Sequence, residues 1–195
     1  MEIQEASLTW RTSVFILAAV ILLFIFPRTR AFYSKLLDFG VLKRLNTYIV
    51  IVLALLFIFI SNLFINNKSL SATYNLLTSS YSSTIMLDPY ELVLFIINLT
   101  ILVPIFEELL FRAPLSIWAN KFPSYLITLL ISSVLFGFTH PEYPFFGFIL
   151  GIAFGLVFRL TKSLIPAILT HFLWNVFSLF YFNYLWITMS MKTAM

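Results

Sequence analysis

The stretch that decides the fold runs from residue 90 to residue 112 and reads YELVLFIINLTILVPIFEELLFR. Nearly all of it is apolar, and about 20 apolar residues are enough for a helix to cross the hydrocarbon core of a bilayer. Towards its end it carries three ionisable side chains, Glu107, Glu108 and Arg112. Each such group costs about 2.5–3.5 kcal/mol near the centre of a membrane helix, so proteins keep them there mainly for function. The stretch therefore predicts a membrane helix that contributes to a functional site.

The composition of the whole chain is that of a membrane protein. Of its 195 residues 61% are apolar and 10% are charged, and the mean hydropathy is +1.00. A soluble domain of this length has too little interior to bury so much apolar surface, so the lipid bilayer is the expected surrounding. The chain has no cysteine, which excludes disulfides, thiolate zinc sites and a cysteine nucleophile. Its basic residues form no run with interleaved aromatics, so we expect no nucleic-acid partner.

Six apolar runs are candidates to cross the membrane. Helix is the state expected for each of them, because unpaired backbone groups are costly in lipid. The sequence thus predicts an all-α, polytopic membrane protein of about six transmembrane helices. The predicted helices cover residues 12–27, 45–65, 90–111, 123–139, 143–158 and 164–189. We expect two parts: residues 1–89, with two N-terminal helices and an external polar loop, and residues 90–189, a four-helix core.

Basic residues set the expected orientation, because the cytoplasmic loops of membrane proteins are rich in Lys and Arg. Most of the 12 basic residues fall on one side when the predicted helices alternate in direction. These are Arg28, Arg30, Lys35, Lys43, Arg44, Arg112, Lys121, Arg159 and Lys162. The others, on the opposite side, are Arg11, Lys68 and Lys192. We therefore expect an integral membrane protein with both termini outside.

The two glutamates of the deciding stretch point in different directions along a helix. Glu108 and Arg112 are four residues apart on one face, so they can form an ion pair. Glu107 lies about 100° round the helix from Glu108 and lacks that partner. It is therefore the acid expected to face a cavity. Taken alone, the cluster is equally well explained as a helix end at which charges meet lipid headgroups.

Two further polar clusters contain both histidines of the chain. Phe136 and His140 close the fourth predicted helix, where Pro141 stops or kinks it. His171 and Asn175, four residues apart near the start of the sixth, can both donate hydrogen bonds into one space. Each cluster alone could be structural, as a hydrogen-bonding histidine or as a pair that joins helices. Together with the acids and the arginine, these side chains suit the activation of water and the binding of an oxyanion.

The three clusters read Glu-Glu-x-x-x-Arg, Phe-x-x-x-His and His-x-x-x-Asn in chain order. This arrangement resembles the CPBP family of intramembrane proteases, also called the Abi family, which includes CAAX proteases, bacteriocin-processing enzymes and the type II CAAX prenyl endopeptidases. The resemblance covers residues 90–181, and all three motifs are complete. It implies that the four-helix core is catalytic and that the chain is an intramembrane endopeptidase. The compact chain suits a prokaryotic member, so we expect it in a prokaryotic cell membrane.

The resemblance also implies a role for each residue. Glu107 and His140 are expected to activate the attacking water, and His171 and Asn175 to stabilise the oxyanion. The residues expected to support them are Glu108, Arg112 and Phe136. The expected partners are the lipid bilayer and membrane-anchored peptide or protein substrates, among which prenylated CAAX-type tails belong. The peptide must be extended or unwound, because a helix hides its own carbonyls.

We expect the chemistry to need no cofactor. A glutamate and two histidines could hold zinc. The chain lacks a His-Glu-x-x-His motif, however, and Arg112 beside the acids opposes a cation. A metal-free mechanism is therefore preferred over a zinc mechanism.

The predicted topology leaves a gap between the two histidines. His140 precedes the fifth predicted helix and His171 follows it, so the simplest arrangement places them at opposite ends of a helix that rises roughly 24 Å. His171 lies inside the sixth predicted helix, which runs back towards the level of His140. If the fifth helix is also tilted by about 40°, the two histidines still differ in depth by about 10 Å. Bending near Pro141 would have to close the remainder.

Two other functions stay open at this point. One is a non-catalytic membrane protein on the same scaffold, acting in immunity or as a binding partner. The other is a proton-coupled transporter, in which buried Glu and His side chains relay protons. The transporter is disfavoured because the sequence shows no inverted repeat and has only 5 glycines.

Overall fold

The computed structural model describes residues 2–65, 89–118 and 121–193 of the chain. Within those ranges the backbone is helical and contains no strand, which confirms the predicted all-α class. The α-helices are α1 (Glu2–Ile25), α2 (Pro27–Leu36), α3 (Leu45–Ile65), α4 (Pro89–Ile97), α5 (Val103–Phe111), α6 (Leu115–Trp118), α7 (Phe122–Phe138), α8 (Pro144–Thr161) and α9 (Leu164–Thr193). A 3₁₀ turn spans Phe39–Lys43 and a π-helical turn spans Asn98–Leu102. The predicted external polar loop lies outside the described residues.

Four helical stretches are long and apolar enough to cross a membrane. They are Leu45–Ile65, Pro89–Ile117, Pro144–Thr161 and Leu164–Tyr181. Helices α1 and α2, which are bent by 102° where they meet, give a fifth if they are counted as one broken span. Helix α7 is apolar but has only 17 residues. The polytopic membrane fold is thus confirmed, with four or five spans by length in the described residues where about six were predicted.

The bend between α1 and α2 follows from Pro27. Phe26 has the extended dihedral angles that residues before proline prefer, with φ −77° and ψ 127°, and Pro27 begins the new helix. We had expected a loop at this point of the sequence. The structure has instead a helix, α2, that buries Tyr33 and leaves Arg28 and Lys35 exposed.

The third predicted helix contains a shift in hydrogen-bond register. The N–H of Val103 bonds to the carbonyl of Asn98, five residues back, which makes the turn π-helical. Pro104 follows and has no N–H to donate. The carbonyl of Leu99 therefore loses both of its usual helical donors, Val103 in an α-helix and Pro104 in a π-helix. It is left to bond outside its own helix.

Helices α7 and α8 run antiparallel and pack closely along glycines of α8 that are four residues apart, Gly147, Gly151 and Gly155. A Cβ atom on Gly151 would lie 2.8 Å from the Cα of Ser133 in α7. Small residues are the usual means by which membrane helices approach each other closely. This contact fixes the position of α7, and with it the histidine that follows the helix.

We predict that Gly151→Ala destabilises the protein by about 1–3 kcal/mol, because the added methyl group forces α7 and α8 apart. Leu156→Ala, on the same helix but at a side chain that faces outwards, is the matched control. Thermal unfolding of both variants in detergent measures the difference. Equal stability of the two variants would contradict the close helix contact.

The buried apolar side chains form two clusters along the bundle. The first core cluster, beside the turn between α8 and α9, includes Tyr33, Leu109, Tyr125, Val157, Phe158 and Leu164. The second core cluster includes Ile58, Phe136, Phe146, Phe154 and Trp174. Because Ile58 belongs to α3 and Tyr33 to α2, the N-terminal helices are packed into the core and are not appended to it.

Candidate active site

The structure brings the predicted site residues together around one small cavity. Glu107, His140, His171 and Asn175 all line it, and its volume is about 60 Å³. Other side chains complete the wall, and sequence reasoning had not singled them out. They are Leu99, Val103, Tyr143, Phe146, Leu150, Trp174 and Ser178. Most are apolar residues within apolar helices, so no pattern in the sequence distinguishes them from lipid-facing positions.

The two histidines lie close to each other, because both pack against the ring of Phe136. The ring of this buried side chain lies 4.7 Å from the ring of His140 and 5.9 Å from that of His171, measured between centroids. His171 is about two turns into α9, where it stacks on Phe154 of α8 at 4.4 Å. The antiparallel return of α9 along α8 thus carries His171 back towards His140.

Glu108 and Arg112 form the ion pair that their spacing predicted. The Nε atom of Arg112 lies 3.1 Å from Oε2 of Glu108, and both side chains are 0% exposed. The guanidinium also lies over the ring of Phe136, with its central carbon 4.2 Å from the ring centroid. Its nitrogens are not aligned as hydrogen-bond donors to any described residue. The attraction is therefore between charges, and each charge is buried only because the other is present.

The other oxygen of Glu108 holds His171. Nδ1 of His171 lies 3.0 Å from Oε1 of Glu108. Because a carboxylate only accepts hydrogen bonds, Nδ1 is the protonated nitrogen that donates. This contact turns the second ring nitrogen, Nε2, towards Glu107, whose Oε2 lies 3.8 Å away. His171 is thus oriented by one glutamate and faces the other.

Glu107 is the carboxylate that meets the cavity. Its side chain is 14% exposed, whereas that of Glu108 is fully buried. Its Oε2 atom is buried and has no hydrogen-bond partner within the described part of the chain. A buried carboxylate oxygen without a partner is costly unless water or a ligand supplies a donor. The geometry leaves Glu107 ready to bind water in the cavity.

His140 is oriented by the end of α7. The backbone carbonyl of Phe136 accepts hydrogen bonds from Nδ1 of His140 at 2.9 Å and from the hydroxyl of Thr139 at 2.7 Å. A carbonyl near the last turn of a helix lacks its helical donor, and these side chains supply one. With Nδ1 donating to the backbone, Nε2 is the nitrogen of His140 left to accept a hydrogen bond in the cavity.

Asn175 has a partner that the sequence did not reveal. Its Nδ2 atom donates to the Leu99 carbonyl at 2.8 Å, the same carbonyl that Pro104 leaves without a helical donor. An asparagine amide has two N–H groups, so one stays available to the cavity. The π-helical turn is itself tied to α1, because Asn98 and Ser13 exchange hydrogen bonds of 2.8 and 3.0 Å.

Two larger openings adjoin the cavity. A groove of about 270 Å³ with mixed polar and apolar walls shares Leu99, His140 and Tyr143 with it and extends past Pro141 and Glu142. An apolar groove of about 460 Å³ lies between α3 and α9 and shares the side chain of Trp174 with the cavity. The site is thus connected to an opening with mixed walls on one side and to an apolar groove on another.

The described residues contain no group of three or more His, Cys, Asp or Glu side chains placed to hold one metal ion. Glu107 and the two histidines line one cavity, but the described geometry does not group them as metal ligands.

Ionisable groups gathered in the middle of apolar helices are typical of membrane proteins that work inside the bilayer. Residues 89–177 match a family model, that of the type II CAAX prenyl endopeptidase Rce1-like family. No curated protein and no solved structure matches the chain. This match supports the CAAX protease family that the three motifs predicted. The family implies a protease embedded in the membrane that acts on membrane-anchored substrates.

We predict that Arg112→Met destabilises the protein by about 3–5 kcal/mol, because it leaves the Glu108 carboxylate buried without its partner. Arg28→Met, at an exposed position of α2, is the matched control and should change stability by less than about 0.5 kcal/mol. Denaturant unfolding in mixed micelles measures both. If the two variants unfold alike, the pairing does not stabilise the fold.

Proposed function

We propose that the protein is an intramembrane endopeptidase that hydrolyses peptide bonds of membrane-anchored substrates with water activated by Glu107 and His140. The observation that carries the proposal is the unpartnered Glu107 oxygen in the same cavity as the open Nε2 of His140. A cavity needs only about 10–15 Å³ of this kind of volume to hold a water molecule. The cavity, at about 60 Å³, therefore has room for a water molecule.

In this mechanism the water donates one hydrogen to Glu107 and the other to His140. Its lone pairs are then free to attack the scissile carbonyl while Glu107 takes up the proton as a general base. Glu107 can afterwards return that proton to the departing amine. The two acceptors orient the water before the substrate arrives, which is the part of the work that fixed side chains do best.

The oxyanion that forms on the carbonyl is bound by His171 and Asn175. His171 already donates from Nδ1 to Glu108, so donation from Nε2 as well makes the ring an imidazolium. Two carboxylates, Glu107 and Glu108, then balance one guanidinium and one imidazolium, and the buried set has no net charge. The free N–H of Asn175 is the second donor. Each donor of this kind is worth about 2.7–4 kcal/mol of transition-state stabilisation.

Glu108, Arg112 and Phe136 act as support. Glu108 orients His171, Arg112 forms the ion pair with Glu108, and the ring of Phe136 packs against both histidines and the guanidinium. None of the three needs to touch the substrate.

The substrates we propose are peptides held at the membrane by an apolar anchor, of which a prenylated CAAX-type tail is one. The apolar groove between α3 and α9 adjoins the cavity through Trp174, so an anchor could lie there while the peptide bond reaches Glu107. No metal takes part in this mechanism.

We predict that Glu107→Gln abolishes cleavage of a library of membrane-anchored peptides by the purified protein, because an amide cannot take up the proton of water. Glu91→Gln, the same change in α4 outside the cavity lining, should cleave like the unchanged protein. A chelator should leave cleavage intact. Cleavage that survives Glu107→Gln would contradict the role of Glu107, and cleavage lost to the chelator would favour zinc.

We predict that Asn175→Ala lowers kcat by about 10²–10³-fold with little change in KM, because the amide binds the oxyanion more tightly than the ground-state carbonyl. Asn46→Ala, at an exposed position of α3, is the matched control. Steady-state kinetics on one cleaved peptide separates the two constants. A higher KM with unchanged kcat would show that Asn175 binds substrate and has no special role in the transition state.

A further inference from the structure

We infer that Ser13 and Asn98 are positioning residues of the active site. The π-helical turn that they hold presents the carbonyl of Leu99, and this carbonyl directs the amide of Asn175 towards the oxyanion. The inference rests on the proposed function, in which Asn175 binds the oxyanion. It gives helix α1 a role in the reaction, although α1 lies outside residues 89–177, which match the family model.

The amide group of Asn175 can bind an oxyanion in only one of its two orientations. Its nitrogen carries two N–H donors, whereas its oxygen only accepts hydrogen bonds. An amide that turns over about its last side-chain bond presents the oxygen, which repels an oxyanion. The 2.8 Å hydrogen bond from Nδ2 to the Leu99 carbonyl selects the nitrogen, because a carbonyl cannot donate. The Leu99 carbonyl therefore keeps a donor, and not an acceptor, at this place in the cavity wall.

The Leu99 carbonyl is available for this bond because the helix changes register around it. In the π-helical turn the N–H of Val103 bonds to the carbonyl of Asn98, and Pro104 has no N–H to donate. Single π-helical turns are rare and occur frequently at functional sites. Since no N–H of its own helix holds the Leu99 carbonyl, the direction of this carbonyl depends on how the residues beside it are held.

Both neighbours of Leu99 in the chain are buried, and both are held by hydrogen bonds of their side chains. Asn98 exchanges hydrogen bonds of 2.8 and 3.0 Å with Ser13 of α1. The hydroxyl of Thr100 donates to the carbonyl of Ile96 at 2.7 Å. The backbone on both sides of Leu99 is fixed by these contacts, so the direction of the Leu99 carbonyl is fixed as well.

The contact of Asn98 differs from that of Thr100 because it reaches another helix. The hydroxyl of Thr100 bonds four residues back and moves with its own segment, whereas the contact with Ser13 connects the turn to α1. A second contact joins α1 to helix α5 beyond the turn, where the rings of Phe15 and Phe106 meet edge to face at 6.2 Å between centroids. Helix α1 thus contacts the interrupted helix on both sides of the register change.

A hydrogen bond between polar side chains of two membrane helices can also contribute to stability alone. In that case the loss of the Ser13 hydroxyl weakens the fold, and its effect on the reaction is the same whether or not the Asn175 amide is present. A positioning role predicts a different result. The loss then affects the transition state through Asn175, and its effect disappears once that amide has been removed.

A double-mutant cycle on one cleaved, membrane-anchored peptide separates these two roles. We expect Ser13→Ala to lower kcat about 10-fold with little change in KM, because a misdirected donor loses part of its effect on the transition state. In the Asn175→Ala background, the same change should lower kcat by less than about twofold. An unchanged kcat in Ser13→Ala alone, or an equal fall in both backgrounds, would overturn the inference.

Ser34→Ala is the matched control for the loss of a serine hydroxyl. Ser34 is exposed on α2, and its hydroxyl donates to the carbonyl of Ala31 in the same helix at 3.2 Å. We expect this variant to have the kcat and KM of the unchanged protein. A fall in kcat equal to that of Ser13→Ala would overturn the inference, because the effect would then not depend on the contact with Asn98.

Hydrogen–deuterium exchange keeps this inference separate from the proposed function. The N–H of Val103 closes the π-helical turn, and its exchange rate measures local opening of that turn. We expect this amide to exchange about 10-fold faster in Ser13→Ala than in the unchanged protein, and at the original rate in Ser34→Ala. Equal rates in all three proteins would overturn the inference. Exchange does not depend on activity, so a protein that cleaves no peptide overturns the proposed function and leaves the hold on the turn to be decided by the exchange rates.

Discussion

The carboxylate of Glu108 contacts both Arg112, on its own helix, and His171, on α9. One oxygen faces the guanidinium of Arg112 at 3.1 Å and the other accepts a hydrogen bond from His171 at 3.0 Å. All three groups are buried, and a charge so placed is stable only with its partners present. The contact between Glu108 of α5 and His171 of α9 therefore fixes the rotation of α9 relative to α5. Because Nδ1 of His171 is held, the direction of Nε2 into the cavity is determined as well.

The ring of Phe136 also connects the groups of the site, through packing contacts. It lies under the guanidinium of Arg112 and touches the rings of His140 and His171. Its own backbone carbonyl holds Nδ1 of His140. Phe136 thus positions both histidines: its ring packs against both, and its backbone carbonyl also holds His140. These contacts explain why a phenylalanine four residues before a histidine belongs to the motif.

Helical spacing was enough to predict part of the site. The four-residue interval gave the ion pair of Glu108 and Arg112, and the single-residue offset placed Glu107 on another face. The meeting of His140 with His171 could not be predicted, because it depends on tertiary packing. It needs α7 to stop at Phe138 and His140 to fold back against the last turn.

The hydrogen bond from Asn175 to Leu99 was not predicted from the sequence for a different reason. It exists because Pro104 shifts the register of its helix and frees one carbonyl, a local effect whose partner lies 76 residues away. The proline was visible in the sequence and could have signalled a bulge. The bond between Ser13 and Asn98 had no such signal, although it connects α1, which lies outside the family match, to the same turn.

The all-α class could be predicted from the composition and from the length of the apolar stretches, whereas helix α2 could not. A segment with several basic residues between two apolar runs was expected to be a loop, but Pro27 begins a helix there and Tyr33 anchors it by donating to the carbonyl of Leu109. The anchoring contact joins residues 76 positions apart, so no local pattern contains it.

The protons on the two histidine rings of the chain can be located in a ¹⁵N NMR spectrum of protein labelled only at histidine. His140→Gln assigns the signals by removing one set. We expect a proton on Nδ1 of both rings, held by the Phe136 carbonyl in His140 and by Glu108 in His171, and loss of the His171 bond in Glu108→Leu. A His171 ring whose only proton is on Nε2 would contradict the central claim that Glu108 orients this histidine.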